Sequence, residues 1–390
     1  MSPIYLDHNA TTPIDPEVIE AMRPFWLLGG NPESRHSAGR AARRALDGAR
    51  ESVAAILNAE PDEVVFTSGG TEANNLAVFG LAEARGEGPA AHLVSSPIEH
   101  PAVAEAVARL EGEGFAVDRP QVAASGLADA RVMAGSIRPG TRLATLMLAN
   151  NETGAIQPVG LLAELAAASG VPVHTDAVQA VGRIAVDFRG LGVATLAASA
   201  HKFHGPGGSG LLLVRRGVAL PPRLFGGGQQ GGRRPGTPAV ALAVGLASAL
   251  GRWAAEAEAR GRRWAALRDR LEAGLIGALG PGRVVPNGPV DPSDRLPQTS
   301  NLGFPGLDGD ALLMQLDLAG VAASLGSACA SGASEPSPTL LAMHVPGDRL
   351  RSSVRFSLGA GTTEADIDEA VLRVAGVVDR VAGAGEFDGW

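Results

Sequence analysis

The 390-residue chain is long enough for two or three domains, and its 45% hydrophobic and 19% charged residues are ordinary for a globular protein. Its net charge of -8 argues against a surface that binds nucleic acid or anionic membranes directly. The first residues lack the basic and apolar regions of a secretory leader, and no uncharged run reaches the roughly 20 residues of a membrane span, so we expect a soluble cytoplasmic protein.

The first part of the chain predicts a helix, a strand and a glycine turn in succession. Apolar residues recur at helical spacing over 37–57, which indicates an amphipathic helix. A β-branched segment at 63–67 predicts a strand, and Ser68-Gly69-Gly70-Thr71-Glu72 follows it before an alanine- and leucine-rich helix. Free N–H groups and the positive end of the helix dipole would hold a phosphate there, although glycine turns before helices are also common structural features.

This strand-and-helix unit recurs along the chain. Further strands are predicted at 92–95, 143–148, 171–175, 195–199 and 210–214, with helices near 101–113 and 159–169. The alternation predicts an α/β fold with a mostly parallel sheet covered by helices on both faces. Because open sheets of this kind bind ligands beyond the carboxyl ends of their strands, the polar residues just after each strand are the candidates for a site.

Two of these strand ends carry charged residues suited to chemistry. Asp176 follows the strand at 171–175, and Gln179 returns to the same side if a helical turn begins there. A carboxylate in this place can fix a cationic ring nitrogen, or it can cap the next helix. Lys202 follows the strand at 195–199, where a lysine is costly unless its charge is used or its pKa is lowered. Both conditions suit a Schiff-base nucleophile, and an ordinary surface lysine is the alternative.

Polar residues also follow two other strands. His100 comes after the strand at 92–95 and could stack on a ring or act as a general acid or base, although a lone histidine is more often structural. Asn151 comes after the strand at 143–148. His201 and His204 are three residues apart, but Gly205-Pro206 interrupts the helix that would align them and no third ligand is evident, so no metal site is predicted.

The last third of the chain differs in composition. Glycine and arginine dominate 226–236, and a long alanine- and arginine-rich helix is predicted over about 239–279. We place a domain boundary within this helix. The remainder combines a Pro- and Asn-rich stretch at 286–299, a cysteine-bearing segment and a closing helix from about 364, which indicates a smaller α+β domain.

Cys329 is the only cysteine of the chain, and it lies in the polar stretch Ser324-Leu325-Gly326-Ser327-Ala328-Cys329-Ala330-Ser331-Gly332. Structural cysteines are usually buried among apolar residues, whereas a lone thiol in an accessible loop can ionise and act as a nucleophile. An incidental loop cysteine is the alternative. A single cysteine forms neither an internal disulfide nor a thiolate zinc site.

Together these motifs resemble the NifS/IscS-type cysteine desulfurases, which are pyridoxal-phosphate enzymes of fold type I in the class V aminotransferase group. The likeness spans most of the chain and also includes Tyr5-Leu6-Asp7-His8-Asn9-Ala10-Thr11-Thr12-Pro13, Gly30-Asn31-Pro32, Thr67-Ser68-Gly69-Gly70-Thr71 and Ser353-Val354-Arg355-Phe356-Ser357. The resemblance implies a large cofactor-binding domain at 16–250 and a small domain, formed by 1–15 and 251–390, that carries the catalytic cysteine.

The resemblance also implies a role for each site residue. Lys202 would form a Schiff base with pyridoxal 5'-phosphate, Asp176 would pair with its pyridinium nitrogen, His100 would stack on its ring and assist catalysis, and Cys329 would be the nucleophile. The other cofactor contacts would come from Gly70, Thr71, Asn151, Gln179, Ser199, His201 and Thr237. Thr237 would reach the phosphate of the other subunit of a homodimer, and Asn31 and Arg355 would bind the substrate carboxylate.

The implied reaction removes sulfur from L-cysteine, releases L-alanine and leaves a persulfide on Cys329 for a protein acceptor such as an iron-sulfur scaffold. A selenocysteine lyase or aminotransferase on the same fold is one alternative, and a non-catalytic sulfur carrier or assembly protein is another. The chain departs from the family pattern at Gly207, Gln230 and Thr237-Pro238-Ala239, which leaves subunit contacts and acceptor preference open.

Overall fold

The computed structural model describes residues 2–84, 91–326 and 336–385. Its strands are β1 (Ile4–Tyr5), β2 (Val64–Thr67), β3 (His92–Ser95), β4 (Ala116–Asp118), β5 (Thr141–Thr145), β6 (Val173–Asp176), β7 (Thr195–Ser199), β8 (Gly210–Val214), β9 (Val285–Asn287), β10 (Thr299–Gly303), β11 (Val321–Ala322) and β12 (Ser353–Ser357). Its α-helices are α1 (Pro16–Leu27), α2 (Ser37–Leu57), α3 (Gly70–Glu83), α4 (Pro101–Gly112), α5 (Ala130–Gly135), α6 (Val159–Ala167), α7 (Phe188–Leu191), α8 (Val240–Leu279), α9 (Gly309–Leu318), α10 (Pro338–Ala342), α11 (Gly347–Leu350) and α12 (Glu364–Gly385).

A seven-stranded sheet with the order β2-β8-β7-β6-β5-β3-β4 forms the centre of the larger part. Neighbours from β7 to β4 run parallel, while β8 runs antiparallel to both β7 and β2. The mostly parallel sheet is therefore confirmed. The chain between β7 and β8, residues 200–209, is shorter than the dozen or so residues that a parallel crossover needs. The short connection accounts for the antiparallel pairing of β8 with β7.

Side chains of the sheet alternate between two apolar layers. In β8, Leu211 and Leu213 pack in one layer with residues of α1, α2, α6 and α8, whereas Leu212 and Val214 pack in the other with residues of α3 and α4. This alternation follows from the two-residue period of a strand. Both faces of the sheet are covered, as the sequence predicts.

Two strands differ from the sequence prediction by more than one residue. The strand expected at 143–148 ends at Thr145, and the one expected at 171–175 is Val173–Asp176. Beyond Thr145 the chain still follows β6, because the N–H groups of Leu146 and Leu148 donate to the carbonyl oxygens of His174 and Asp176 at 3.2 and 2.8 Å. The extension carries the chain to Asn150 and Asn151 at the edge where Asp176 ends its strand.

A second apolar core lies around the antiparallel sheet β12-β10-β9 and the parallel pair β1-β11. The N-terminal residues Ile4 and Leu6 pack in it together with α9, α12 and the second half of α8. Part of the later chain, including Leu296 and Leu340, packs instead in the core beneath the large sheet. The α+β character expected of this region is present, and the domain limits 16–250 and 251–390 stay a prediction.

The long helix α8 joins the two cores. Leu250 and Trp253 lie in the core of the large sheet, and Trp264 and Leu271 lie in the second core. Within the described part of the chain, α8 is the helix whose length and composition would allow a membrane crossing, yet half of its most apolar stretch is buried within the protein. Burial of this kind is typical of a core helix.

Gln230 protects the free edge of the large sheet. Its Oε1 accepts the N–H of Phe66 in edge strand β2 at 2.6 Å, and its Nε2 donates to the Phe66 carbonyl at 2.8 Å. One amide side chain therefore satisfies both backbone groups that a neighbouring strand would otherwise pair. The acid expected here by resemblance would lack the N–H that the Phe66 carbonyl receives.

Candidate active site

The polar residues predicted at the strand ends meet around one cavity of about 230 Å³. It lies beyond the carboxyl ends of the parallel strands, where open sheets bind ligands. Every predicted cofactor residue except Thr237 lines it. The lining residues are Gly70, Thr71, Asn74, His100, Ala102, Met147, Asn151, Asp176, Val178, Gln179, Ser199, His201 and Lys202.

One end of the cavity is formed by the start of α3. Gly69 precedes this helix and offers no side-chain cap, so the first N–H groups of α3 have no side-chain partner. A Cβ on Gly70 would lie 2.8 Å from Val178 Cγ2, so a larger residue here would displace Val178, which lines the cavity. Thr71, Ser199 and His201 border the same end and also line an adjoining space. The arrangement suits a phosphate group.

Asp176 ends β6 with its carboxylate held by two donors. Its Oδ1 accepts the N–H of Val178 at 2.9 Å, and its Oδ2 accepts Nδ2 of Asn74 at 2.7 Å. Gln179, one turn further along, donates from Nε2 to the carbonyl of Asn9 at 3.0 Å, and its buried Oε1 has no protein partner. Both side chains line the cavity, as predicted from the Asp-x-x-Gln spacing.

Lys202 lies in a single tight turn after β7, and its amine is already bound by the chain. Nζ donates to the carbonyl oxygens of Asn9 and Ala10 at 2.7 and 2.8 Å. Burial, together with the positive charge of Arg355, lowers the pKa of this amine to about 8. Near neutral pH a useful fraction is therefore the neutral nucleophile, which an exposed lysine would not provide.

Two histidines of the cavity are neutral at pH 7. His100 caps α4, because its Nδ1 accepts the N–H of Ala102 at 3.1 Å, and burial lowers its pKa. The proton of the neutral His100 ring is consequently on Nε2. His201 contacts Thr11 Oγ1 at 3.1 Å through Nδ1, and burial lowers its pKa to about 4. His100 thus serves a structural role and borders the cavity as well.

Arg355 lies in β12 and is buried beside the N-terminal segment. Its Nη2 pairs with Asp7 Oδ1 at 2.8 Å, and its Nη1 donates to the carbonyl of Asn151 at 3.0 Å. Nε is buried without a protein partner. The guanidinium therefore keeps an unused donor in a setting where unpaired donors are costly, which suits an anionic ligand group.

Three predicted site residues in the described part of the chain do not line the cavity: Asn31, Thr237 and Arg355, although Arg355 donates to the carbonyl of Asn151, which does line it. Asn31 is exposed, and its Oδ1 accepts the N–H of Glu33 at 2.9 Å. Thr237 is also exposed and lines neither space around Lys202. Cys329 lies outside the described residues. The roles assigned to these four residues stay predictions.

The chain on either side of residues 327–335 is anchored beside Arg355. The backbone of Ser324 pairs with the backbone of Arg355, with N···O distances of 3.2 and 2.6 Å. Glu152 follows Asn151; its Oε2 lies close to Gly326 and accepts the hydroxyl of Ser337 at 2.6 Å. Both ends of the stretch that contains Cys329 are therefore fixed next to the site.

The sequence reasoning missed several contributors to this site. The backbone carbonyls of Asn9 and Ala10, which bind Lys202, carry no sequence signal. Asn74 does carry one, since an amide in the otherwise apolar face of α3 requires a buried partner. A simple count also singles out Lys202, because it is the only lysine among the 33 Lys and Arg residues of the chain.

Comparison with known proteins agrees with this geometry. The aminotransferase class-V family model matches residues 4–370. A cysteine desulfurase of Trichormus azollae is 42% identical over 99% of this chain and 96% of its own, and cysteine desulfurase NifS of Azotobacter vinelandii is 41% identical over 97% and 93%. A solved structure described as a NifS-like protein superposes with a TM-score of 0.90 at 33% identity, covering 97% of this chain and 100% of its own.

The fold, the strand-end site and these full-length relatives agree with one another. The chain has the fold of type I pyridoxal-phosphate enzymes, and it belongs to the class-V aminotransferase family, within the cysteine desulfurases of the NifS/IscS type.

Proposed function

We propose that the chain binds pyridoxal 5'-phosphate in the cavity at Lys202 and transfers the sulfur of L-cysteine to Cys329, releasing L-alanine. The observation that carries this proposal is the meeting of a buried lysine amine of lowered pKa, an anchored carboxylate and a free helix N-terminus in one cavity. These groups suit, in turn, the aldehyde, the ring nitrogen and the phosphate of that cofactor.

The residues present fit the cofactor. Lys202 would hold it covalently, Asp176 would face its ring nitrogen, and His100 would lie against its ring. Gln179 offers an unpartnered buried Oε1 to the same cavity. When bound, the cofactor withdraws electrons from the Cα and Cβ atoms of an amino acid joined to it.

Lys202 would then serve as the proton carrier. Its pKa of about 8 allows it to accept a proton from the substrate Cα and return it later at a pH near neutral. The carbonyl oxygens of Asn9 and Ala10 can stabilise the ammonium form of Lys202, because both already accept hydrogen bonds from Nζ. His100, with its proton on Nε2, is a second acid within the cavity.

Arg355 would bind the substrate carboxylate. Asp7 and the Asn151 carbonyl fix the guanidinium plane, and the buried Nε provides a donor that no protein group uses. A planar guanidinium binds a carboxylate through two parallel hydrogen bonds, which an ammonium group cannot match.

The Arg355→Lys variant should therefore bind L-cysteine more weakly while remaining folded. Lysine keeps a positive charge near Asp7 but loses the fork, so we expect the KM for L-cysteine to rise by about 30-fold, equivalent to about 2 kcal/mol of lost charged hydrogen bonding. Steady-state kinetics and thermal unfolding measure the two effects separately. Arg349→Lys, in the preceding helix α11, is the control. An unchanged KM would contradict the assignment.

The proposed sulfur transfer balances in atoms and electrons with L-cysteine and the Cys329 thiol alone. The C–S bond of L-cysteine breaks, an S–S bond to Cys329 forms, and the former Cβ gains a hydrogen, so L-cysteine and a thiol become L-alanine and a persulfide. The carbon is reduced as the sulfurs are oxidised. Because the chain has no second cysteine to resolve the persulfide, the sulfur has to leave to another molecule, such as a protein of iron-sulfur assembly.

We infer that two copies of the chain form the working enzyme. Large apolar side chains that one chain leaves exposed include Leu27 at 85%, Phe225 at 92% and Trp26 at 63% exposure. Adjacent exposed apolar side chains, such as Trp26 and Leu27 at the end of α1, are typical of subunit contacts. A partner is also consistent with Thr237, which lies away from the cavity of its own chain.

The proposed function is tested with L-cysteine and the cofactor-loaded chain. In the presence of dithiothreitol we expect equal amounts of alanine and sulfide. Without reductant, mass spectrometry of the digested protein should find one added sulfur atom on the peptide that contains Cys329. A loaded protein that produces neither alanine nor sulfide would falsify the proposal, and the loss of all visible absorption on dialysis after incubation with pyridoxal phosphate would favour the non-catalytic carrier.

A further inference from the structure

A chain of buried hydrogen bonds leads from β7 to the carboxylate of Asp176. Thr195 Oγ1 lies 2.9 Å from His174 Nδ1, His174 Nε2 lies 3.0 Å from Asn74 Oδ1, and Asn74 Nδ2 lies 2.7 Å from Asp176 Oδ2. None of these four side chains is more than 4% exposed. The proposed mechanism uses Asp176 alone, so the other three polar side chains require an explanation.

The chemistry of the four groups fixes the direction of the hydrogen bonds. An ionised carboxylate only accepts, so Asn74 presents its NH₂ group to Asp176 and its oxygen to His174. His174 must then donate from Nε2. Burial lowers the pKa of His174 to about 3, so the ring is neutral and carries this single proton. Nδ1 accordingly accepts the hydroxyl proton of Thr195.

We propose that His174 and Asn74 are positioning residues that hold the Asp176 carboxylate in the orientation needed to receive the ring nitrogen of the cofactor. Val178 N–H binds Oδ1 and Asn74 binds Oδ2, so rotation of the carboxylate would break one of two hydrogen bonds to a charged group. His174 in turn prevents Asn74 from rotating its amide. This inference rests on the proposed function, because it assigns these hydrogen bonds a purpose at the site where the cofactor would bind.

The sheet contains a matched pair that lacks this connection. His92 of β3 lies opposite Thr141 of β5, as His174 of β6 lies opposite Thr195 of β7. His92 is buried, and its Nδ1 lies 2.8 Å from Thr141 Oγ1. Its Nε2 faces Asp118 rather than a residue of the cavity. Changes at His92 therefore report what a buried histidine–threonine pair contributes to the fold alone.

The test compares His174→Phe with His92→Phe. Cofactor affinity is measured by titrating the cofactor-free protein with pyridoxal phosphate and following the visible band, whose own pH titration is recorded as well. We expect His174→Phe to weaken binding by about tenfold and to shift the pH midpoint of the band, while His92→Phe changes neither. Asn74→Leu, which removes the direct bond to Asp176, should weaken binding by about 10- to 100-fold.

A conservative variant and a cofactor-free measurement complete the test. His174→Gln keeps an N–H that can reach Asn74 Oδ1, so it should restore affinity to within about threefold of the unmodified chain. Nitrogen-15 NMR of the cofactor-free protein should show the His174 proton on Nε2. If His174→Phe does not fold, Thr195→Val removes the first hydrogen bond with little change of shape and should weaken binding in the same direction.

The inference is overturned if His174→Phe binds the cofactor like the unmodified chain, if His92→Phe weakens binding equally, or if the His174 proton is on Nδ1. Failure of the proposed function gives a different result, because the unmodified chain would then bind no pyridoxal phosphate whatever tautomer His174 adopts.

Discussion

The Lys202→Ala variant should carry no covalently linked pyridoxal phosphate and should turn over L-cysteine at least about 10³-fold more slowly than the unmodified chain. Lys202 is the only lysine of the sequence, so no other side-chain amine can take its place. The visible absorption spectrum after dialysis measures the link. Borohydride reduction followed by peptide mapping then locates the cofactor on the unmodified chain.

Lys202→Arg is the matched control for this variant. Arginine keeps a positive charge near the carbonyls of Asn9 and Ala10, which bind the amine in the structure, but it cannot form the covalent link. We expect it to unfold at nearly the temperature of the unmodified chain and to be as inactive as Lys202→Ala. A visible band that survives dialysis in Lys202→Ala would contradict the assignment of this amine.

The same residue predicts a pH dependence. Only the neutral amine attacks an aldehyde, and burial lowers the pKa of Lys202 to about 8. The rate at which cofactor-free protein captures pyridoxal phosphate should therefore rise with pH up to about 8 and level off above it. An amine with the ordinary pKa of 10.5 would give a rate that still rises well beyond pH 9.

Much of the site could be predicted from strand ends alone. Parallel strands bring their carboxyl ends to one edge, so Gly70, Asp176 and Lys202 converge although more than a hundred residues separate the first from the others. The prediction needed only the approximate ends of β2, β6 and β7. Errors of two or three residues in strand bounds, as at Thr145, did not matter, because the chain remains paired with β6 beyond that point.

The rest of the site depends on contacts that local patterns do not encode. The carbonyls of Asn9 and Ala10 meet Lys202 because Ile4 and Leu6 pack in the second core and direct the N-terminal segment across the cavity. This placement follows from packing across almost two hundred residues of sequence. A backbone carbonyl has no residue type that could identify it beforehand.

Asn31 and Thr237 show a limit of assigning site residues by resemblance. Their assignment came from resemblance, which aligns motifs; it placed Thr237 at the site of the other subunit and named no subunit for Asn31. In the single chain both are exposed, and neither lines the cavity. Since Thr237 is expected to act on the other subunit, its distance from its own cavity is compatible with that role.

The Cys329→Ala variant should lose alanine formation from L-cysteine by at least about 10⁴-fold while still binding the substrate. Lys202 and Arg355 are unchanged in this variant, so addition of L-cysteine should still alter the visible absorption band. What disappears is the thiol that accepts the sulfur, and the sequence has no other cysteine to replace it. Alanine release and the absorption spectrum, measured on the same sample, separate binding from sulfur transfer.

Comparison of the two variants gives the strongest test of an enzyme in which Lys202 holds the cofactor and Cys329 accepts the sulfur. Lys202→Ala should lose both the spectral response and turnover, whereas Cys329→Ala should lose turnover alone. Undiminished alanine release in Cys329→Ala would remove the thiol from the mechanism. Release from L-selenocysteine that needs Lys202 but not Cys329 would instead identify a selenocysteine lyase, because cleavage of the C–Se bond would then require no thiol of this chain.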